Sequence, residues 1–312
     1  MAGLVHFRLV VAAAHVEPVV ALLIDRTGVT NIVRLEGVAL QPVGDVVQFD
    51  VAREASNDIL VELRALGLHH DGSVSITHSS LSMGSAVQVA LDEAPGEADS
   101  TVLWAEVEAI VARGGQATPL LQAYFVVAAI IATAGVLTDS SILIVGAMVV
   151  GPEYGPIAAM SWYLQQRQPR RWLASAVVGA MGSSAAVLAA FLMTAVLRAI
   201  DRIPDEFELG SQINAGFIAH PDVYSAIVAS VAAVAGVLSL TFAHSSTLVG
   251  VLVSVTTIPA IAAIGIGAAV GDWHGAWGAV GQLSVNLGCL VVVGAITLAV
   301  LRWRTPHLVA RT

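Results

Sequence analysis

The sequence predicts an α-helical polytopic membrane protein: six transmembrane helices built as a 3+3 inverted repeat with two broken helices, behind a small soluble α+β domain. Three observations predict it. First, 56% of the 312 residues are hydrophobic and 12% charged, at mean hydropathy +0.80, whereas ordinary soluble domains carry about 25% charged residues. Second, charge is segregated. Residues 1–118 hold 15 Asp and Glu against six Arg, a net of −9 that equals the whole-chain value, and the remainder balances. Third, the apolar part repeats itself at a fixed interval. This composition excludes a nucleic-acid binder, a disordered chain and a disulfide scaffold. Cys289 is the single cysteine, so no internal disulfide or thiolate metal site is expected. The start has no basic, short-apolar, cleavable pattern, so a secretory signal is not expected.

The first 80 residues read as a soluble domain. Val5–Ala12 and Val29–Leu40 look like strands, and period-two alternation marks Val47, Phe49 and Val51, then Val74 and Ile76. Helices are expected at about 16–26, closing at Gly28, and at 56–66, opening at Ser56 or Asn57 and stopping at Gly67. Strand, helix, strand, strand, helix, strand is the ferredoxin-like βαββαβ pattern, which hosts many functions and names none. His69, His70 and His78 lack carboxylate or Cys partners at ligand spacing and read as surface histidines, so no metal site or cofactor is expected. Residues 81–118 form a linker and connector, with an amphipathic helix over about 100–113 ended by Gly114 and Gly115.

Six apolar segments follow, near 119–138, 140–164, 172–199, 222–242, 246–269 and 278–301, each long enough for the hydrocarbon core. The membrane part spans 119–303, with repeats 119–199 and 222–302 and a tail over 304–312. Trp162, Tyr163, Trp172, Trp273, Trp277 and Trp303 flank segment ends, as interfacial aromatics do. Seven arginines (113, 167, 170, 171, 302, 304 and 311) fall on one side and only Arg198 and Arg202 on the other. Both termini are therefore expected in the cytoplasm, in the cell membrane.

A shift of 104 residues aligns Ser141 with Ser245, Val145-Gly146 with Val249-Gly250 and Ile157-Ala158-Ala159 with Ile261-Ala262-Ala263. It also aligns Ala195-Val196-Leu197-Arg198 with Ala299-Val300-Leu301-Arg302. Each copy holds three spans. An odd count inverts the second copy, the architecture of many secondary transporters with a midplane site.

The second and fifth segments carry the helix-breaking residues: Gly151, Pro152, Gly155 and Pro156 in one, Pro259 in the other. Proline removes a backbone donor and clashes with the preceding turn, and broken backbone at that depth belongs beside protein or a water-filled cavity. Glu153 lies inside the first break. A charge at mid-span costs at least about 2.5–3.5 kcal/mol and marks a functional position by default. The shift pairs Glu153 with Thr257, beside Thr256, and Gln282 and Asn286 share one face of the last helix. These five are the candidate solute- or ion-binding residues, although for Gln282 and Asn286 interhelical hydrogen bonding is the favoured reading. Ser140, Ser141, Asp139, Ser245 and Ser246 read as helix caps, His244 as filler of the capping loop, and Asp272, His274, His220 and Asp222 as solvated loop polars. Gly151 to Gly155 and Gly267 to Gly271 have the spacing of packing motifs.

The stretch Gly146-Ala147-Met148-Val149-Val150-Gly151-Pro152-Glu153-Tyr154-Gly155-Pro156-Ile157, with Pro259 and Asn286 downstream, resembles the family known as domain of unknown function 389. Most of residues 1–300 share the likeness. The chain departs from that pattern at Glu153, where relatives often carry an apolar residue, and at Pro259, where a double proline is common. The resemblance implies no activity. Two functions remain. One is a transporter or channel for a small solute or ion, coupled through Glu153 and regulated by the head, which requires a cavity at the breaks. The other is a membrane-anchored sensor or assembly protein whose head binds a ligand or oligomerises, which requires none. No nucleophile–base pair converges, so an enzyme is not expected. The expected partners are the lipid bilayer, a small solute or ion, and further copies of the chain, with no nucleic acid.

Overall fold

The computed structural model describes residues 4–78, 82–94, 102–204, 207–211, 223–242 and 257–304. The chain divides into two compact units, one ending at Glu106 and the other spanning Val107–Arg304.

The first unit runs β1 (Leu4–Val11), α1 (Val16–Ile24), β2 (Val29–Leu40), β3 (Val43–Ala52), α2 (Arg53–Ala65), the single turn α3 (Leu68–Asp71), β4 (Ser73–His78) and α4 (Ser85–Glu93). The strands form one antiparallel sheet in the order β2-β3-β1-β4. Alternation puts Val5, Phe7, Leu9 and Val11 of β1 with Val47, Phe49 and Val51 of β3 on one face, where they meet Val19 and Leu23 of α1 and Ile59 and Leu63 of α2. Phe7 and Phe49 are register partners and stack with centroids 5.1 Å apart. Gly28 turns the chain out of α1 at φ +82°, a conformation that costs glycine nothing.

One boundary differs from expectation. Helix α2 begins at Arg53, not at Ser56 or Asn57. The Ser56 hydroxyl donates back to the Ala52 carbonyl, and Asn57 donates to the Val102 carbonyl while accepting from the Trp104 N–H. Of the two residues that look like caps in the sequence, Asn57 serves a tertiary strap and Ser56 bonds back one turn within its own helix. His78 pairs with Glu106 at 2.9 Å, and no three His, Cys, Asp or Glu side chains cluster as a metal site among the described residues.

The second unit contains the end of α5 (Trp104–Gly114), then α6 (Pro119–Leu137), α7 (Ser141–Val150), α8 (Tyr154–Gln165), α9 (Pro169–Ala199), α10 (Val223–Phe242), α11 (Ile258–Val270) and α12 (Trp273–Arg304). Helices α6, α9, α10 and α12 are long and apolar enough to cross a membrane. Helices α7 and α8, bent by 57° at their break, add a fifth among the described residues if the pair is one span and none if it is a re-entrant loop. Four or five apolar helices of this kind are compatible with a membrane protein. Of the fifth predicted segment, 257–269 is described as the start and body of α11, whereas 246–256, with Thr256, Ser245 and Ser246, lies outside the described residues. His220, Asp222 and His244 lie outside them too.

The helix starts keep a common interval. Helices α8 and α11 begin 104 residues apart, at Tyr154 and Ile258, and so do α9 and α12, at Pro169 and Trp273. Small residues bring the helices close. A Cβ on Gly294 of α12 would meet Ser161 Oγ of α8 at 2.7 Å, and one on Gly265 of α11 would meet Ala190 Cβ of α9 at 2.7 Å.

Candidate functional site

The break between α7 and α8 lies at the glycine, proline and carboxylate singled out above. Helix α7 starts with Ser140 Oγ accepting from the Leu143 N–H and runs to Val150, where Gly151 N–H still reaches the Ala147 carbonyl. Pro152 has no N–H to continue the ladder. The chain turns through Glu153, the residue before α8, whose carbonyl accepts from Ile157 N–H. Pro156 then sits in the first turn of α8, where its missing donor costs no hydrogen bond. Tyr154 anchors the new helix by donating to the Gly236 carbonyl of α10 at 2.9 Å. Gly155 is packed against Gly114, with the hypothetical Cβ of Gly114 only 3.0 Å from Gly155 Cα.

Thr257 precedes α11 as Glu153 precedes α8, and Pro259 lies in the first turn of α11. The two pre-helical side chains meet. Thr257 Oγ1 donates to Glu153 Oε1 at 2.9 Å, both residues being buried at 1% and 4% exposure. A carboxylate between two helix starts is in favourable electrostatic surroundings, since unpaired N–H groups give each N-terminus a partial positive charge.

Glu153 and Thr257 form part of the wall of a cavity of about 670 Å³, within the range of small-molecule sites, roughly 300–1,000 Å³. Pro156, Ile157, Met160 and Leu164 of α8 supply one side. Gly179, Ala180, Ser183 and Ser184 of α9 face Leu283, Ser284, Leu287 and Gly288 of α12 across it. Trp172 lines the end nearest the α8–α9 turn, and its buried indole N–H has no hydrogen-bond partner among the described residues. No arginine or histidine lines the cavity among the described residues. Its polar groups are one carboxylate, four hydroxyls and one indole donor in an apolar wall.

Among the sequence candidates, Glu153, Thr257 and Pro156 line this cavity, Gly151, Pro152 and Gly155 shape its corner, and Pro259 starts α11. Gln282 and Asn286 are buried on α12 but do not line it; Gln282 Oε1 finds no partner among the described residues. Ser183, Ser184, Ser284 and Trp172 do line it. Nothing in their spacing marks them, since α9 holds three serines and α12 only Ser284, though the 104-residue shift pairs Ser184 with Gly288 across the cavity.

Two polar residues also have roles that their sequence setting hides. Asp272, expected to be solvated, accepts from the N–H of Gly275 through Oδ1 at 2.8 Å, capping α12, and from the N–H of Leu209 through Oδ2 at 3.0 Å. Arg198 Nη1 donates to the carbonyls of Ala269 and Val270 at the end of α11, where a cation complements the helix dipole.

The sequence model of one family, described as Domain of unknown function (DUF389), matches residues 148–292. That stretch begins three residues before the break and ends beyond Gly288, so it covers the whole hydrogen-bonded pair and most of the cavity. No curated protein and no solved structure matches the chain.

Proposed function

We propose that this chain, which belongs to the DUF389 family through residues 148–292, carries a small solute or ion across a membrane, with the site midway between two inverted halves and Glu153 as its coupling or selectivity group. The observation that carries this reading is the cavity of about 670 Å³ walled in part by the Glu153–Thr257 pair. A membrane anchor that merely relays a signal needs no such space, and a buried carboxylate beside it is costly without a use. The volume exceeds what a bare ion requires and suits a small organic solute.

Three relations support an inverted duplication. Glu153 and Thr257 are 104 residues apart, the repeat interval, and they touch; only residues close to an internal two-fold axis can meet their own counterparts. The Ser161–Gly294 crossing maps onto the Gly265–Ala190 crossing when each residue is exchanged for its counterpart, as a two-fold operation requires. Three spans per copy then turn the second half over. We read the antiparallel sheet of order β2-β3-β1-β4 as a ferredoxin-like regulatory head. Its groove of about 320 Å³ between α2 and β4 is a candidate effector pocket. The arginine distribution argues for cytoplasmic termini in the cell membrane, and we expect a homo-oligomer.

The experiment is flux of a panel of ions, amino acids and organic cations into proteoliposomes holding wild type or Glu153→Gln. At least one solute is expected to show saturable uptake that falls tenfold or more in the variant. Equal flux for both proteins across the panel would remove Glu153 from the mechanism.

A further inference from the structure

We infer that the structure is one end state of an alternating-access carrier, open towards the α8–α9 turn, and that Ile264, Ala268, Ala276 and Val280 form the second half of the solute path, lining it in the opposite state. This rests on the transport reading and decides within it between carrier and channel.

The cavity is symmetric at its middle and one-sided at its end. Its central wall consists of counterparts at the 104-residue interval: Glu153 with Thr257, Ile157 with Ile261, and Gly179, Ala180, Ser183 and Ser184 with Leu283, Ser284, Leu287 and Gly288. It then continues past Met160, Leu164, Trp172 and Ala176, the end of α8 and the start of α9. The counterparts of those four residues, at the end of α11 and the start of α12, line none of it. A water-filled pore on a two-fold axis would extend both ways; among the described residues this one extends one way.

Towards the α11–α12 turn one side chain fills the space between the two helices. Leu209, 2% exposed, lies between α11 and α12, where a Cβ on Gly267 would meet its Cδ1 at 3.0 Å and one on Gly275 its Cβ at 3.1 Å. Asp272 fastens it through the Leu209 N–H. Ile266, Ala263 and Ala279 pack around the plug. Residues 176 and 190 of α9 are about 21 Å apart along the axis at 1.5 Å per residue, so the open end and the α9–α11 crossing stand at different depths. Two halves with the same fold can exchange conformations at little net cost. The exchange would close the α8–α9 end and release Leu209. Packed interfaces of this kind are bistable rather than continuously deformable.

The test uses full-length protein with Cys289→Ala, reconstituted in vesicles, and a membrane-impermeant maleimide added from either side. In this background Ala176→Cys is expected to label from one side at least tenfold faster than Val280→Cys does from either. Adding Leu209→Ala, or Asp272→Asn if the first variant folds poorly, should raise labelling of Val280→Cys from the opposite side about tenfold. The same change should lower labelling of Ala176→Cys, because one population grows at the expense of the other. A faster Val280→Cys with unchanged Ala176→Cys would mean local opening and overturn the inference, as would equal labelling of both from one side. Either result alongside Glu153-dependent flux leaves transport standing as a channel. Reciprocal labelling without flux of any solute would keep the two states and overturn the transport reading.

Discussion

The Thr257 hydroxyl donates to the Glu153 carboxylate at 2.9 Å, and each residue stands immediately before the first turn of its own helix. One hydrogen bond thus ties two helix starts that lie 104 residues apart in the chain. Removing the donor with Thr257→Val leaves a buried carboxylate oxygen short of a partner, which costs about 1–3 kcal/mol. Thr257→Ser should restore it. Glu153→Gln keeps an acceptor oxygen, so its thermal midpoint in detergent should stay close to wild type while solute flux is lost. A large fall in that midpoint would make Glu153 a structural residue.

Gly288 and Gly294 are six residues apart on α12, on different faces of the helix, and predict opposite behaviour. A Cβ on Gly288 meets nothing within 4 Å and the residue faces the cavity, whereas one on Gly294 meets Ser161 Oγ at 2.7 Å. Gly288→Leu should fold normally and cut flux at least tenfold by filling the cavity. Gly294→Leu should destabilise by about 1–3 kcal/mol through overpacking, read as a lower thermal midpoint.

At the end of α5, Gly114 and Gly155 meet backbone to backbone. A Cβ on Gly155 would lie 2.8 Å from the Gly114 carbonyl oxygen, and neither partner has a side chain to move aside. Either glycine changed to alanine should therefore lower stability by about 1–3 kcal/mol, and the double variant should lose less than the two single losses combined because both relieve the same crossing. Strict additivity, measured by thermal unfolding, would show that the two residues do not share a contact.

Asp45, in β3 of the soluble unit, responds to acid. The Gly37 N–H and the Arg34 guanidinium, each donating at 2.9 Å, hold its carboxyl below the ordinary carboxylate range. A depressed folded-state value contributes stability that is complete above the unfolded value of about 3.9 and is lost as pH falls through the folded one. Protection of the Gly37 amide from hydrogen exchange, corrected for the intrinsic rate, should hold down to about pH 4 and then decline. In Asp45→Asn it should be reduced at every pH.

Much of this was legible in the residues because it depends on local chemistry or on periodicity. Alternation located the strands, the Gly-Pro pair located the α7–α8 corner, and the 104-residue self-match paired Glu153 with Thr257 before any geometry was known. Long-range partners were not legible. Ser56 and Asn57 have the composition of helix caps, yet Val102 and Trp104 engage Asn57 instead. Asp272 sits in an exposed-looking turn, and only the fold brings Leu209 to it. Helix α4 leaves little trace in the sequence because its apolar stripe is weak, with only Val87 and Ala90 buried. Gln282 and Asn286 share a helical face, but helix phase alone does not say which neighbour that face meets.

The distance along the chain between Glu153 and its donor also bears on synthesis. In a polypeptide inserted as it leaves the ribosome, the acid enters the lipid while Thr257 is still unmade, and at 5–20 residues per second the wait is about 5–20 s. During that interval the nascent first half must shelter an ionisable group with water, a proton or a chaperone. A truncated product ending before Thr257 would keep that liability permanently, which makes it a natural target for membrane proteolysis.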